Sequence, residues 1–225
     1  MNELLTLPWE STDDTSPIAS RMAAWAAREI IEQRYEPGQL LTEADLAEAQ
    51  KASRTPAREA MLQLERWRLV RLVPKKGAIV TTVTSQERRD LLAMRAMFEI
   101  DAVQPLTADS SLSQVAADLR SLLDMQQEAR KAGRSLDFAS ADYAFHARII
   151  RSGGNSVVGE TLSTIGPRLA RLTYQVIIDQ PDSLDTLLDE HAELTGLAER
   201  GDVKEFATLV HRHITASHFP QGNKR

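Results

Sequence analysis

One stretch of this 225-residue chain alternates like a β-hairpin, and it is short. LVRLV at 69–73 and AIVTTV at 78–83 repeat with a period of two and are rich in β-branched residues. They flank Pro74-Lys75-Lys76-Gly77, which predicts a hairpin with a basic tip. From Ser85 onward no strand pattern recurs, and the apolar residues elsewhere fall at helical spacing. The chain is therefore expected to be mainly α, with one hairpin marking a boundary about a third of the way along.

Upstream, residues 17–34 place Ile18, Met22, Trp25, Ala26 and Ile30 on one helical face, and Glu36-Pro37-Gly38 ends that helix in a turn. Thr42 suits the N-cap of a second, short helix, with Asp45 in its first turn and Leu46 inward. Thr55 suits the N-cap of a third, with Pro56 at its first position. Ala57, Ala60, Met61, Leu64 and Trp67 make the inward stripe of that helix. Three helices and a hairpin make a winged helix-turn-helix over 17–83, with the third helix in the recognition position. After a short polar linker, helices are expected at about 85–107, 111–132, 136–151, 155–178, 183–199 and 202–218. That all-helical segment, 85–218, is long enough to enclose a core and a pocket.

The formal net charge is −5, yet residues 50–80 hold eight basic side chains and two acids, a local charge of +6. Such asymmetry points to a local anionic partner. Arg54 and Arg58 lie off the buried stripe at the start of the third helix. In a helix-turn-helix those positions reach base edges, and arginine is the best bidentate partner of guanine. Thr55 and the backbone N–H groups of a helix start suit a phosphate, and Lys75 and Lys76 add charge at the wing. A solvated helix face is the bland alternative, but the whole pattern favours double-stranded DNA.

The segment PGQLLTEADLAEAQKASRTPAREAMLQLERWRLVRLVPKKGAIV resembles the N-terminal domain of the GntR family of bacterial transcription regulators. The resemblance implies DNA contacts at Arg54, Thr55, Arg58, Lys76 and Gly77, with Lys75 beside them. Three departures stand out. Ala44 occupies a position where some members have a DNA-touching arginine, Lys51 replaces the usual turn glycine, and Trp67-Arg68 replaces an acidic-Gly pair.

With no cysteine there is no disulfide and no thiolate metal site. All five histidines lie in the second half. ADYAFHARII sets Asp142 and His146 four residues apart, on one helix face. A surface ion pair is the bland reading of that spacing. His191 precedes Leu194 and Leu197 at inward spacing, His213 follows Leu209 by four, and His211 is offset. One Asp and three His would suit Zn²⁺, Ni²⁺ or Mn²⁺.

RAMFEIDA, DYAFHARIIRSGGN, DEHAELTGLAERGD and HRHI resemble the FCD ligand-binding domain of the FadR subfamily of these regulators. The resemblance implies metal ligands at Asp142, His146, His191 and His213, and a small carboxylate effector held by the metal and by Arg95. The plain alternative for Arg95 is an i,i+4 pair with Glu99. Asn155 reads first as a helix cap, and Arg171 and Tyr174 are the next candidates to line the pocket. The implied function is a homodimeric repressor on a palindromic operator. A metal-dependent hydrolase using the His₃Asp site is a rival, and a purely structural metal is a third reading. MNELLTLPWE lacks the features of a secretory signal, and no apolar run approaches the ~20 residues that span a bilayer, so a cytoplasmic location is expected.

Overall fold

The computed structural model describes residues 16–103 and 112–219. The expected end of the fourth helix at 107, the start of the fifth at 111 and the stretch MNELLTLPWE lie outside them. Among the described residues the order is α1 (Ile18–Ile31), β1 (Leu40–Leu41), α2 (Glu43–Ala49), α3 (Arg54–Arg66), β2 (Val70–Val73), β3 (Gly77–Val80), α4 (Ser85–Val103), α5 (Leu112–Lys131), α6 (Ser135–Ser152), α7 (Ser156–Asp179), a 3₁₀ turn (Pro181–Ser183), α8 (Leu184–Arg200) and α9 (Val203–His218). The chain divides into two compact units. Among the described residues, one holds those from Ser16 to Ser85 with Ser163–Arg171 of α7, and the other those within Gln86–Leu162 and from Leu172 to Phe219.

In the first unit α1 and α2 both pack on α3. Met22, Ala26, Ile30, Leu46, Ala57, Ala60, Met61 and Leu64 form its buried core. Thr42 caps α2 through a full capping box: its Oγ1 accepts from the Asp45 N–H at 3.1 Å, and Asp45 accepts from the Thr42 N–H at 2.9 Å. The start of α3 differs from expectation. Ser53 takes the extended cap conformation and the helix begins at Arg54, so Thr55 lies inside it and Pro56 sits third. Proline fits there because the first four N–H groups of a helix have no intrahelical partner anyway.

The hairpin forms as β2 and β3, paired antiparallel from Val70↔Val80 to Val73↔Gly77. Its strands are shorter than the sequence pattern suggests. A third strand, β1, joins β3 with Leu40↔Ile79, giving the order β1-β3-β2. Two of the departures now have a backbone meaning. Lys51 and Arg68 hold φ of 50° and 54°, in the left-handed region where glycine costs least. Gly77 is required for a second reason. Its φ is 117°, and a Cβ there would lie 2.4 Å from the Leu41 carbonyl oxygen.

In the second unit α5 packs against α6 and α8, and α8 against α9. The apolar stripes explain why. Phe138, Phe145 and Ile149 line the buried face of α6; Leu184, Leu187, Leu194 and Leu197 that of α8; Phe206, Leu209 and Ile214 that of α9. Asn155 caps α7 by accepting from the Val157 and Val158 N–H groups, as expected. Gly201, at φ 65°, ends α8, and Asp202 caps α9.

Candidate nucleic-acid face and metal centre

On the first unit, a concave face is lined by Thr42, Glu43 and Ala44 at the start of α2, by Arg54, Arg58, Met61 and Leu62 on α3, and by Leu72–Gly77 of the hairpin. Arg54, Arg58, Lys75 and Lys76 are all exposed on it. Thr55 is exposed but does not line the groove. Whereas α2 has a full capping box, α3 has no side-chain cap and no acid in its first turn. Its leading N–H groups therefore keep their positive end for an outside acceptor. Of the two local acids, Glu65 is occupied internally, its Oε1 accepting from the Leu72 N–H at 2.9 Å and tying α3 to β2.

In the second unit charged and polar groups interrupt four apolar stripes. Asp142 and His146 sit on the buried face of α6, His191 on that of α8, His213 on that of α9, and Arg95 with Glu99 on that of α4. None of these six is more than 4 % exposed. The surface-pair reading of Asp142 and His146 therefore fails. The three imidazoles gather with one ligand nitrogen each within 4.8 Å of the others. His146 Nε2 and His191 Nε2 lie 3.1 Å apart, and Asp142 Oδ1 lies 3.5 Å from His191 Nε2. The Phe145 ring stacks on His191 at 4.5 Å between centroids.

Each Nδ1 has its own oxygen. His146 Nδ1 meets Glu99 Oε2 at 3.0 Å, His191 Nδ1 meets Gln126 Oε1 at 2.7 Å, and His213 Nδ1 meets Glu190 Oε2 at 2.8 Å. Such partners hold the Nδ1–H tautomer and leave Nε2 as a lone pair. Two lone pairs facing each other at 3.1 Å repel, so the arrangement suits a cation accepted by both. Thr173 Oγ1 donates to Asp142 Oδ2 at 3.2 Å, leaving Oδ1 turned to the cluster. Ionisation agrees. Burial, aided by the nearby charge of Arg95, holds His146 well below its ordinary pKa, and burial does the same for His191. Burial pushes Asp142 and Glu99 above the usual carboxylate range, with Arg95 opposing. A dication would favour the ionised carboxylates and neutral imidazoles together.

Arg95 makes the ion pair that the sequence allowed. Its Nε donates to Glu99 Oε1 at 2.8 Å, the i,i+4 pair. Its Nη2 is buried with no partner among the described residues. Arg171 and Tyr174, on α7, have contacts of their own. Arg171 Nη1 donates to the Thr81 carbonyl at 2.8 Å within the first unit. Tyr174 packs against the cluster of Phe138, Ile177 and Leu184. Neither of those contacts involves the histidines. Sequence reasoning missed Gln126, Glu190, Thr173 and His218. The last is 8 % exposed on the α9 stripe, four residues after Ile214, a spacing that would have pointed inward.

Comparison with known proteins places these two units. The model described as bacterial regulatory proteins, gntR family, matches residues 22–80, and that of the FCD domain matches 90–216. The Nta operon transcriptional regulator of Aminobacter aminovorans is 28 % identical over 85 % of this chain and 88 % of its own length. The gluconate operon transcriptional repressor of Bacillus licheniformis is 29 % identical over 61 % of this chain and 56 % of its own. A solved structure from Rhodococcus sp. RHA1, described as a GntR regulator, shares the fold with a TM-score of 0.75 at 22 % identity, over 89 % of this chain and 95 % of that one. The hydrolase alternative finds no support in these relatives, which are named as transcriptional regulators. The chain belongs to the gntR family of bacterial regulatory proteins, as a DNA-binding transcriptional regulator with a C-terminal FCD domain.

Proposed function

We propose that the protein is a repressor whose operator affinity is set by a small carboxylate bound beside a divalent metal ion in the FCD domain. Residues 17–83 read DNA, residues 85–218 sense the acid, and a FadR-type homodimer spans a palindromic site. Arg54, Arg58 and the start of α3 meet base edges and phosphates, with Thr55, Lys75, Lys76 and Gly77 at the flanks. Two relatives named as repressors, of a gluconate operon and of a D-xylose utilization operon, support the sign of regulation and an acid or sugar-derived signal.

The observation that carries the sensing half is the set of three buried imidazoles, each with its Nδ1 held by an oxygen, beside Asp142 and the unpartnered Nη2 of Arg95. His146, His191, His213 and Asp142 would hold Zn²⁺, Ni²⁺ or Mn²⁺, and the ion would supply a Lewis-acid position for a carboxylate oxygen. Arg95 Nη2 would donate to the same carboxylate, a charge-assisted contact. Binding must favour one arrangement of the protein over another to change operator affinity. Elemental analysis after reconstitution tests the reading. About one divalent ion per chain is expected for the wild type and a marked loss for His191→Ala. No bound metal in the reconstituted wild type would overturn it.

A further inference from the structure

One turn of α7 makes hydrogen bonds in both units. The helix runs through both: Ser163–Arg171 belongs to the first, and Leu172 onward to the second. Thr173 is buried, and its Oγ1 donates to Asp142 Oδ2 at 3.2 Å. Arg171 is 1 % exposed, among the largest fully buried side chains, and its Nη1 donates to the Thr81 carbonyl at 2.8 Å. Two positions apart, these side chains leave opposite sides of the helix, with only about 3 Å between them along its axis.

Thr81 is itself tied to the DNA-facing elements. It follows β3, and its N–H donates to the Leu69 carbonyl at 2.9 Å. Its Oγ1 meets two carbonyls, Arg68 at 2.9 Å and Leu69 at 3.0 Å. Those two residues join α3 to β2, and the Leu69 N–H donates to the Leu64 carbonyl of α3 at 3.0 Å. The Arg171 guanidinium, through Thr81, therefore bears on the joint between the helix that carries Arg54 and Arg58 and the hairpin that carries Lys75 and Lys76. Pro167 lies four residues before Arg171 and has no N–H for the helical ladder, so this turn can shift without carrying the upstream helix with it.

At the other end, Asp142 turns Oδ1 to the histidines and Oδ2 to Thr173. An ion drawing on Oδ1 would fix that carboxylate and, through Oδ2, the Thr173 hydroxyl. We propose that the Arg171–Thr173 turn couples the two units: Thr173 reads occupancy of the metal centre through Asp142, and Arg171 passes it to the α3–β2 joint through Thr81. This rests on the metal reading above and goes beyond it in naming the positioning residues that carry the signal.

The test is hydrogen exchange, read by mass spectrometry on the full chain with saturating Zn²⁺ and after chelation. Peptides over α8 and α9 report the metal itself. The peptide over 67–83 reports the joint, where the Leu69 and Thr81 amides are bonded. In the wild type Zn²⁺ should slow exchange in both regions, by about fivefold or more at the joint, the lower end of usual coupling between sites. In Arg171→Met, Zn²⁺ should still slow exchange in α8 and α9 while its effect on 67–83 falls close to none, and Arg171→Lys should restore part of it. Thr173→Val keeps the shape and removes the donor. It should lose the effect on the joint in the same way, and it serves if the Arg171 variants do not fold. Protection of α8 and α9 with none at 67–83 in the wild type overturns the coupling and leaves the metal reading standing. A full effect on 67–83 in Arg171→Met or Thr173→Val overturns it too. No protection anywhere on adding Zn²⁺ removes the metal reading, and the coupling with it.

Discussion

Arg58 and Lys76 line the same groove but should read different things. Arg58 projects from the first turns of α3, where a guanidinium can grip a guanine edge. Replacing it with alanine should cost about 1–3 kcal/mol of operator binding and relax sequence preference. Lys76 lies at the hairpin tip, and its alanine variant should weaken all duplexes alike and reduce the log-log salt slope by about one. Gel-shift titrations at several salt concentrations separate the two, and wild-type behaviour in both variants would remove this face from DNA recognition. Lys51 belongs at this scale too. A side chain at φ 50° is strained by about 1 kcal/mol, so Lys51→Gly should hold or slightly raise the urea midpoint. A clear fall in the midpoint would contradict that account.

At the scale of elements, Gly77 starts β3 under the Leu41 carbonyl, where a Cβ would meet oxygen at 2.4 Å. Gly77→Ala should therefore displace the hairpin from β1 and cost the first unit about 1–3 kcal/mol, read by chemical denaturation. A variant as stable as wild type would show that the β1–β3 junction yields easily. Which elements the sequence reveals follows from how local their cause is. The hairpin, the caps at Thr42 and Asn155, and the inward face of α8 are written in residues within one or two turns of each other. β1 is two residues long and exists through its pairing with β3, so no local pattern announces it. The candidate site divides the same way. His146, His191 and His213 are visible because each interrupts an apolar stripe. Gln126 and Glu190 are not, because their hydrogen bonds to histidines join residues 65 and 23 positions apart.

At the scale of the whole molecule, the metal should couple stability to pH. In the metal-free protein His146 and His191 resist protonation, while the unfolded chain takes up protons below about pH 6.5. Their contribution is present above that pH and lost below it. Asp142 and Glu99 act in the opposite sense, because their raised pKa values give stability in acid that is lost as pH rises through them. A dication removes that loss, since it favours the ionised carboxylates and the neutral imidazoles at once. The gap in Tm between Zn²⁺-loaded and chelator-stripped protein should thus widen from about pH 5.5 to about pH 7.5. A gap that is constant or narrows with rising pH would contradict the assigned ligands. The same residues carry the central claim, that an acid at this centre sets DNA affinity. The direct measurement is operator affinity of the metal-loaded protein, on a duplex selected from random sequence, with and without the monocarboxylate that raises its Tm most, for wild type and Arg95→Ala. The account predicts that the acid lowers wild-type affinity by about 5- to 150-fold, and that Arg95→Ala binds operator normally but no longer responds. Wild-type affinity unchanged at saturating acid, or equal release by Arg95→Ala, would contradict it.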